Sequence, residues 1–321
     1  MKVFATRFIP AIGLQLMQDA GISVTQWTQQ RSLTPEELIG HCQQYDALLS
    51  AGQNRIDKNF LQACRHLKVI SLLAVGYDNV DVAEAARLGI PVGNTPGVLN
   101  NATADTAFLL MLAVSRKAFY LHKKIIQGNW DFYDPTADLG IELTGKTLGV
   151  FGLGKIGFEM ARKCTAAYNM NIIYHNRGTN LEAEMKLGAR KVSFEELLEQ
   201  SDVLSVHTAL SEETRRKFNK AVFEQMKPTA IFINTARGGI HQEEDLIRAL
   251  QTGTIWGAGL DVTNPEPMQP GNPLLNMPTV AVLPHIGSAT TEARNGMAEL
   301  AAKNIIAGLR GEPLPHPVLP S

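Results

Sequence analysis

The chain has 321 residues, of which 45% are hydrophobic, and its formal net charge at pH 7 is -1. This length suggests roughly two domains, and the composition supplies enough apolar residues for substantial cores. Because a nearly neutral chain offers no basic field for nucleic acid, a small-molecule ligand is favoured over a polyanion.

Two features predict a cytoplasmic protein that does not enter a membrane. The longest uninterrupted apolar run, Phe108 to Val114, is far too short to span a bilayer, and the first residues lack the apolar core of a signal peptide. The three cysteines are an odd number without a CxxC pair, which argues against a disulfide framework and against a zinc site. We therefore expect a reducing compartment and no bound metal.

Short apolar runs alternate with amphipathic stretches over the first 98 residues or so. Such alternation is typical of a parallel α/β sheet. Thr34-Pro-Glu-Glu37 predicts a helix start, with threonine as the N-cap and proline just inside the helix. The predicted strands are 3–5, 24–27, 47–50, 69–73 and 91–93, and the predicted helices are 12–20, 35–44, 60–64 and 82–88.

A different pattern follows this first unit. Residues 100–127 carry apolar positions at helical spacing and predict one long helix that leads into a second domain. Residues 128–145 have no steady period, and we interpret them as a packing arm or an interface.

The stretch Thr147–Gly157 predicts a strand, a phosphate-binding turn and a helix. Its glycines have the spacing G-x-G-x-x-G, and Lys155 and Ile156, which lie between the last two of them, are expected to contact the cofactor as well. Gly152 would allow the tight turn, Gly154 the close approach of a pyrophosphate, and Gly157 the packing of helix on strand. Free N–H groups and the helix dipole would then hold the phosphate charge.

Strands and helices continue to alternate after this motif. The predicted strands are 171–174, 203–207, 230–234, 258–261 and 280–284, and the predicted helices are 156–168, 194–200, 213–226 and 243–252. Residues 290–309 predict a final helix without a following strand, which we expect to return to the first domain.

Three of the later strand ends carry side chains suited to catalysis on a carboxylate substrate. Arg237 follows a buried strand and can bind a carboxylate through two hydrogen bonds while polarising a neighbouring carbonyl. Glu266 stands between two prolines, which stiffen the chain around it. His285 ends the last predicted strand. Because ligands bind beyond the carboxyl ends of parallel strands, we expect these three residues to act together.

Four motifs in this order resemble the D-isomer-specific 2-hydroxyacid dehydrogenases, and most closely their glyoxylate/hydroxypyruvate reductase and 2-ketogluconate (2-ketoaldonate) reductase branch. The motifs are Gly152–Gly157, Asn234–Gly238, Gly259–Val262 with Glu266, and Pro284–Thr290. The implied activity is NAD(P)H-dependent reduction of small 2-ketoacids to D-2-hydroxyacids, with glyoxylate and hydroxypyruvate first and 2-keto-D-gluconate as a more distant candidate. Two alternatives remain open, a phosphoglycerate dehydrogenase-like enzyme and a dinucleotide-sensing protein like the related corepressors.

The resemblance implies an α/β fold of two doubly wound parallel-sheet domains. A flavodoxin-like substrate domain would comprise residues 1–98 and 289–321, and a Rossmann NADP-binding domain residues 99–288. It also implies a homodimer with its dimerisation arm at about residues 100–145, and an active site in the cleft of each subunit. The implied partner is a small 2-ketoacid, with no nucleic acid and no membrane.

The resemblance also implies roles for individual residues. The backbone amides of Val75 and Gly76, with Arg237, would receive the substrate carboxylate. His285 would be the acid/base, and Glu266 would hydrogen-bond to it and stabilise the imidazolium. A substrate contact is implied for Ser288, and cofactor contacts for Thr103, His207, Thr235, Ala236 and Asp261.

The turn after the second strand of the Rossmann unit predicts NADP(H), with NAD(H) tolerated. NAD-preferring sites place an acid about 20 residues past the glycines, whereas an arginine there accommodates a 2′-phosphate. This chain has Asn176 and Arg177 in that turn and no acid. We therefore expect both side chains to contact the phosphate.

Overall fold

A computed structural model describes residues 1–320, which form two compact units. The first comprises Met1–Leu99 with the C-terminal segment from Ala289, and the second comprises Asn100–Ser288. Across the described residues, no helix is long and apolar enough to cross a membrane.

The first unit contains a five-stranded parallel sheet of order β2-β1-β3-β4-β5. This order is that of flavodoxin-like folds. Its elements are β1 (Lys2–Ala5), α1 (Ala11–Asp19), β2 (Ser23–Gln26), α2 (Pro35–Cys42), β3 (Ala47–Ser50), α3 (Lys58–Ala63), β4 (Val69–Leu72), α4 (Val82–Arg87) and β5 (Val92–Gly93), joined by the C-terminal helix α12 (Thr291–Arg310).

Side-chain capping explains where α2 begins, and glycines allow the close packing of α12. Thr34 Oγ1 accepts from the Glu37 amide at 3.2 Å, and the Thr34 amide donates to Glu37 Oε2 at 2.9 Å, which confirms the predicted N-cap. The helix α12 packs on α1 and β4. A Cβ at Gly13 would lie 2.9 Å from the Ala298 carbonyl oxygen, and one at Gly308 2.5 Å from Val69 Cβ.

The second unit contains a seven-stranded parallel sheet of order β12-β11-β10-β9-β6-β7-β8. Six of its strands have the Rossmann order, and the predicted fold class of two doubly wound sheets is confirmed. Its elements are α5 (Asn100–Ser115), α6 (Ala118–Ile126), β6 (Thr147–Phe151), α7 (Lys155–Tyr168), β7 (Asn171–His175), α8 (Leu181–Leu187), β8 (Arg190–Lys191), α9 (Phe194–Gln200), β9 (Val203–Val206), α10 (Lys220–Phe223), β10 (Ile231–Asn234), α11 (Glu243–Gln251), β11 (Gly257–Leu260) and β12 (Val280–Val282).

The single long helix predicted over 100–127 is wrong. Two helices, α5 and α6, meet at Lys117, whose φ of 53° lies in the left-handed region. The carbonyl oxygen of Ser115 accepts from the Ile141 amide at 2.9 Å instead of continuing the helix. A contact with the later irregular segment therefore ends α5.

The helix predicted over 213–226 is also wrong, since only Lys220–Phe223 is helical. Arg216 has a φ of 51°, and its amide donates to the Gly239 carbonyl at 2.9 Å. Likewise, the Phe218 amide donates to the Ile240 carbonyl at 3.1 Å, so these backbone groups pair with the segment 239–240 and not within a helix. Sequence analysis also missed α8 and β8.

Candidate active site

The parallel strands of the second unit bring their carboxyl ends to one edge of the sheet, outside which ligands of such sheets bind. Six of the seven strands lead into predicted site residues. They are Gly152–Gly157 after β6, Asn176 and Arg177 after β7, His207 after β9, Thr235–Arg237 after β10, Asp261 and Glu266 after β11, and His285 with Ser288 after β12.

The glycine turn after β6 has the shape that a pyrophosphate requires. Gly152 has a φ of 95°, and a Cβ there would lie 2.8 Å from the Thr208 amide nitrogen. A Cβ at Gly157 would lie 2.8 Å from the Gly152 carbonyl oxygen, so α7 packs closely on the turn. At Gly154 a Cβ would meet nothing in the described chain within 4 Å, which leaves the backbone open to a ligand.

The amino end of α7 offers an anion site beside this turn. Lys155 and Ile156 are its first residues, and Gly154 is its N-cap. Among residues 1–320, no side chain caps this end and no acid lies in the first turn. The end therefore keeps its unpaired N–H groups and positive dipole, which suits a dinucleotide phosphate.

The two predicted residues in the turn after β7 have different surroundings. Asn176 Oδ1 accepts from the Leu153 amide at 2.6 Å, and its Nδ2 donates to the Leu153 carbonyl at 3.2 Å. Asn176 thus braces the glycine turn, and the phosphate contact expected of it stays a prediction. Arg177 is exposed, and nothing in the described part of the chain pairs with its guanidinium.

Two residues at this turn escaped sequence analysis. Lys191 Nζ donates to the Arg177 carbonyl oxygen at 3.1 Å, which brings a second cation to the turn. Asn180 Nδ2 donates to the Leu153 carbonyl at 3.0 Å and so also braces the glycine turn. Recognising the missed elements α8 and β8 would have pointed to both, because Asn180 caps α8 and Lys191 ends β8.

The ends of β9 and β10 carry a half-buried histidine, His207, and a buried hydroxyl, that of Thr235. Burial lowers the pKa of His207 to about 4, so its ring is neutral at pH 7, and Ser205 Oγ lies 2.8 Å from its Nε2. The Thr235 hydroxyl is buried without a hydrogen-bond partner in the part of the chain that the structure describes. Since an unpaired buried hydroxyl is costly, this group fits a contact to bound cofactor.

Arg237 lies in a turn that its own neighbours hold together. Its Nη1 donates to the Ala236 carbonyl at 2.8 Å, while the Ala236 amide donates to Asn234 Oδ1 at 3.0 Å. The Asn234 amide nitrogen donates to the Arg237 carbonyl at 2.9 Å and approaches His241 Nδ1 at 3.0 Å. Asn234 stands in a motif already singled out, whereas nothing in the sequence pointed to His241.

The structure brings Glu266 and His285 together, although they are 19 positions apart. Glu266 Oε1 lies 2.5 Å from His285 Nδ1, which leaves Nε2 as the ring nitrogen that can face a substrate. The side chain of His285 is 40% exposed and that of Glu266 22%, so solvent or substrate can reach the imidazole. A carboxylate in this position orients the ring through Nδ1.

Asp261 holds the loop that carries His285. Its Oδ1 accepts from the Ile286 amide and its Oδ2 from the Gly287 amide, both at 2.7 Å. Burial raises the pKa of Asp261, and these two donors oppose that shift. His285 itself has a φ of 56°, an uncommon conformation for a residue with a side chain, so these contacts maintain a strained backbone.

Thr103 of α5 is buried next to the same loop. A Cβ at Gly287 would lie 2.9 Å from Asp261 Oδ2 and 3.3 Å from Thr103 Cγ2. The cofactor contacts expected of Thr103 and Asp261 stay predictions, and the role of Asp261 in positioning His285 is a finding of the structure.

Val75 and Gly76 lie in the first unit, in the loop after β4. Asn94 Nδ2 donates to the Val75 carbonyl at 2.8 Å, and the Thr95 amide donates to the Ala74 carbonyl at 2.9 Å. These bonds fix the loop through its carbonyl oxygens. The predicted contact of the Val75 and Gly76 amides with the substrate carboxylate stays a prediction.

Known proteins resemble this chain over nearly its whole length. A family model described as "D-isomer specific 2-hydroxyacid dehydrogenase, NAD binding domain" matches residues 108–287. The glyoxylate reductase of Thermococcus litoralis is 42% identical over 319 residues, covering 98% of this chain and 96% of that protein.

Solved structures agree. A glyoxylate reductase from Paecilomyes thermophila has a TM-score of 0.87 and 35% identity, covering 99% of this chain and 98% of that one. The NADPH-dependent glyoxylate/hydroxypyruvate reductase of Sinorhizobium meliloti, solved with NADP and malonate, has a TM-score of 0.86 and 30% identity, covering 99% of this chain and 96% of that one.

Proposed function

Since this chain belongs to the D-isomer-specific 2-hydroxyacid dehydrogenase family and uses NAD(P)(H), we propose that it reduces glyoxylate and hydroxypyruvate, with 2-keto-D-gluconate as a more distant candidate. The observation that carries this proposal is the pair of Glu266 and His285, 2.5 Å apart, at the sheet edge that also bears Arg237 and the glycine turn. The names of the relatives support glyoxylate and hydroxypyruvate as substrates.

Each catalytic side chain has a distinct task in the proposed reaction. Bound reduced nicotinamide supplies a hydride. Arg237 binds the 2-ketoacid carboxylate through two N–H donors and orients the neighbouring carbonyl. His285 gives its Nε2 proton to the carbonyl oxygen as that oxygen becomes an alkoxide, and Glu266 stabilises the imidazolium beforehand. The net change consumes one proton and one hydride for each 2-hydroxyacid formed.

A panel of 2-ketoacids tests the proposal. Glyoxylate and hydroxypyruvate are expected to show the highest kcat/KM, and chiral products are expected to have the D configuration. Initial rates with NADPH, followed by chiral analysis of the products, measure both. A strong preference for pyruvate or 3-phosphohydroxypyruvate over both small substrates would contradict the proposal, as would the absence of turnover with every member.

NADPH is proposed to be the preferred cofactor, because Arg177 is exposed in the turn where a 2′-phosphate binds. Arg177→Ala is expected to lower kcat/KM for NADPH by roughly 10- to 150-fold, the 1.5–3 kcal/mol of a charged hydrogen bond. The value for NADH is expected to stay within about twofold, because NADH lacks the phosphate. Steady-state kinetics with both cofactors measure this effect.

Arg190 supplies a matched control for this experiment. It is an exposed arginine on the neighbouring strand β8, and its Nη2 donates to Gln200 Oε1 at 2.7 Å. Arg190→Ala removes the same charge and is expected to change neither cofactor's kinetics. Equal losses in the two variants, or a wild-type preference for NADH, would contradict the assignment of Arg177.

A homodimer is proposed through the predicted arm at about residues 100–145, and in particular through its segment 128–140. Trp130, Phe132 and Tyr133 are 69%, 75% and 84% exposed there, and exposed aromatic side chains in a row are typical of an interface. Light scattering is expected to give twice the chain mass of 35.0 kDa. Charged residues in place of Phe132 and Tyr133 are expected to give monomers.

Met185 provides the control for the proposed interface, since it is 80% exposed but lies on α8, outside the arm. Met185→Asp is expected to leave the oligomeric state unchanged. A wild-type monomer at micromolar concentration would refute the proposed homodimer.

A further inference from the structure

The side-chain amide of Asn234 is fully buried beneath the turn that carries Arg237, and its orientation is set by its partners. Oδ1 accepts from the Ala236 amide, which can only donate, so the other amide atom must be the nitrogen. Nδ2 then donates one hydrogen to the Arg237 carbonyl at 2.9 Å. Its second hydrogen points to His241 Nδ1 at 3.0 Å.

His241 therefore has a defined tautomer. Because Asn234 Nδ2 is a donor, Nδ1 of His241 must accept, and the proton of the neutral ring sits on Nε2. The ring is 1% exposed, and burial lowers its pKa to about 4, which agrees with a neutral imidazole at pH 7. Its edge-on contact with Phe232, at 5.9 Å between ring centroids, fixes the ring plane.

We infer that His241 and Asn234 are positioning residues that hold the backbone of Arg237 where its guanidinium can bind the substrate carboxylate. This inference rests on the proposed function, since it assumes that Arg237 binds substrate. His241 touches neither substrate nor cofactor in this scheme. It acts by accepting the second hydrogen of the amide whose first hydrogen holds the Arg237 carbonyl.

Backbone hydrogen bonds hold the later part of the turn, so removal of the His241 Nδ1 acceptor is expected to affect only the earlier part. The Arg216 amide donates to the Gly239 carbonyl, and the Gln242 amide donates to the Phe218 carbonyl, both at 2.9 Å. These bonds hold residues 239–242 without any contribution from the imidazole. Between Asn234 and Gly238, by contrast, the Asn234 amide makes two of the hydrogen bonds that set the path of the chain.

Two substitutions of His241 separate the acceptor from the bulk of the ring. His241→Phe keeps an aromatic ring against Phe232 and removes the acceptor, which leaves an amide hydrogen buried and unpaired. It is expected to lower kcat/KM for the 2-ketoacid by roughly tenfold, mainly through a higher KM. His241→Asn returns an acceptor, Oδ1, to the place of Nδ1, and is expected to stay within about threefold of wild type. His241→Leu repeats the test should His241→Phe fail to fold.

A double-mutant cycle with Arg237→Lys identifies the route of the effect. If His241 acts through Arg237, His241→Phe lowers kcat/KM by a much smaller factor in the Arg237→Lys background than in wild type. Additive losses would overturn the inference, as would equal activity of His241→Phe and His241→Asn. An Arg237→Lys variant with wild-type kcat/KM would instead overturn the assignment of Arg237 to the substrate, which is a failure of the proposed function itself.

Discussion

Replacement of His285 by alanine is expected to lower kcat by about 10²–10⁴-fold, the usual contribution of a general acid. Glu266 holds the His285 imidazole at the carboxyl edge of the seven-stranded sheet, and Asp261 holds the loop that carries it. Its loss leaves the nascent alkoxide to take a proton from water. Cofactor affinity, followed by fluorescence titration with NADPH, is expected to stay near wild type.

Two further variants sharpen this prediction. His316→Ala, in the C-terminal segment, removes a histidine that has no proposed role and is expected to be neutral. Glu266→Gln retains a hydrogen-bonding partner for His285 but removes the negative charge, so its expected loss in kcat is smaller, about 10- to 100-fold. An His285→Ala enzyme with wild-type turnover would exclude the acid role.

Replacement of Arg237 by alanine is expected to lower kcat/KM for glyoxylate by about 10²–10³-fold, within the 2–5 kcal/mol typical of truncating one partner of a buried charge pair. This substitution removes both of the parallel N–H donors that are proposed to bind the substrate carboxylate. The kcat/KM of Arg237→Lys is expected to lie between those of wild type and Arg237→Ala, because an ammonium group keeps the charge but cannot reproduce the planar fork of the guanidinium. Initial rates over a range of glyoxylate concentrations measure these losses.

The chemistry of the substrate supplies an internal control for Arg237. Reduction of an aldehyde without a carboxylate, although slow, is expected to depend little on Arg237. Arg248→Ala, at an exposed position in the last turn of α11, is expected to be neutral for both substrates. A loss of equal size for substrates with and without the carboxylate would show that Arg237 does not bind that group.

Local sequence determined the fold class and the cofactor motif of this protein. The strand 47–50 and the helix 194–200 were predicted with the bounds that the structure has, because buried runs and capping residues mark such elements within a few positions. The turn at Gly152 was also predictable, since its φ of 95° and the 2.8 Å that would separate a Cβ there from the Thr208 amide nitrogen both require glycine. Family membership followed from four such motifs in one order.

Tertiary structure decided the features that depend on residues far apart in the chain. The helix break at Lys117 accompanies a hydrogen bond from Ile141, and the loss of helix over 213–219 follows from pairing with 239–241. The pairing of Glu266 with His285 arises only when two separate loops meet, and the contact of Asn234 with His241 arises only when the turn between them folds back on the end of β10. Propensity and periodicity describe the neighbours of a residue along the chain, and they carry no information about a hydrogen-bond partner that folding supplies.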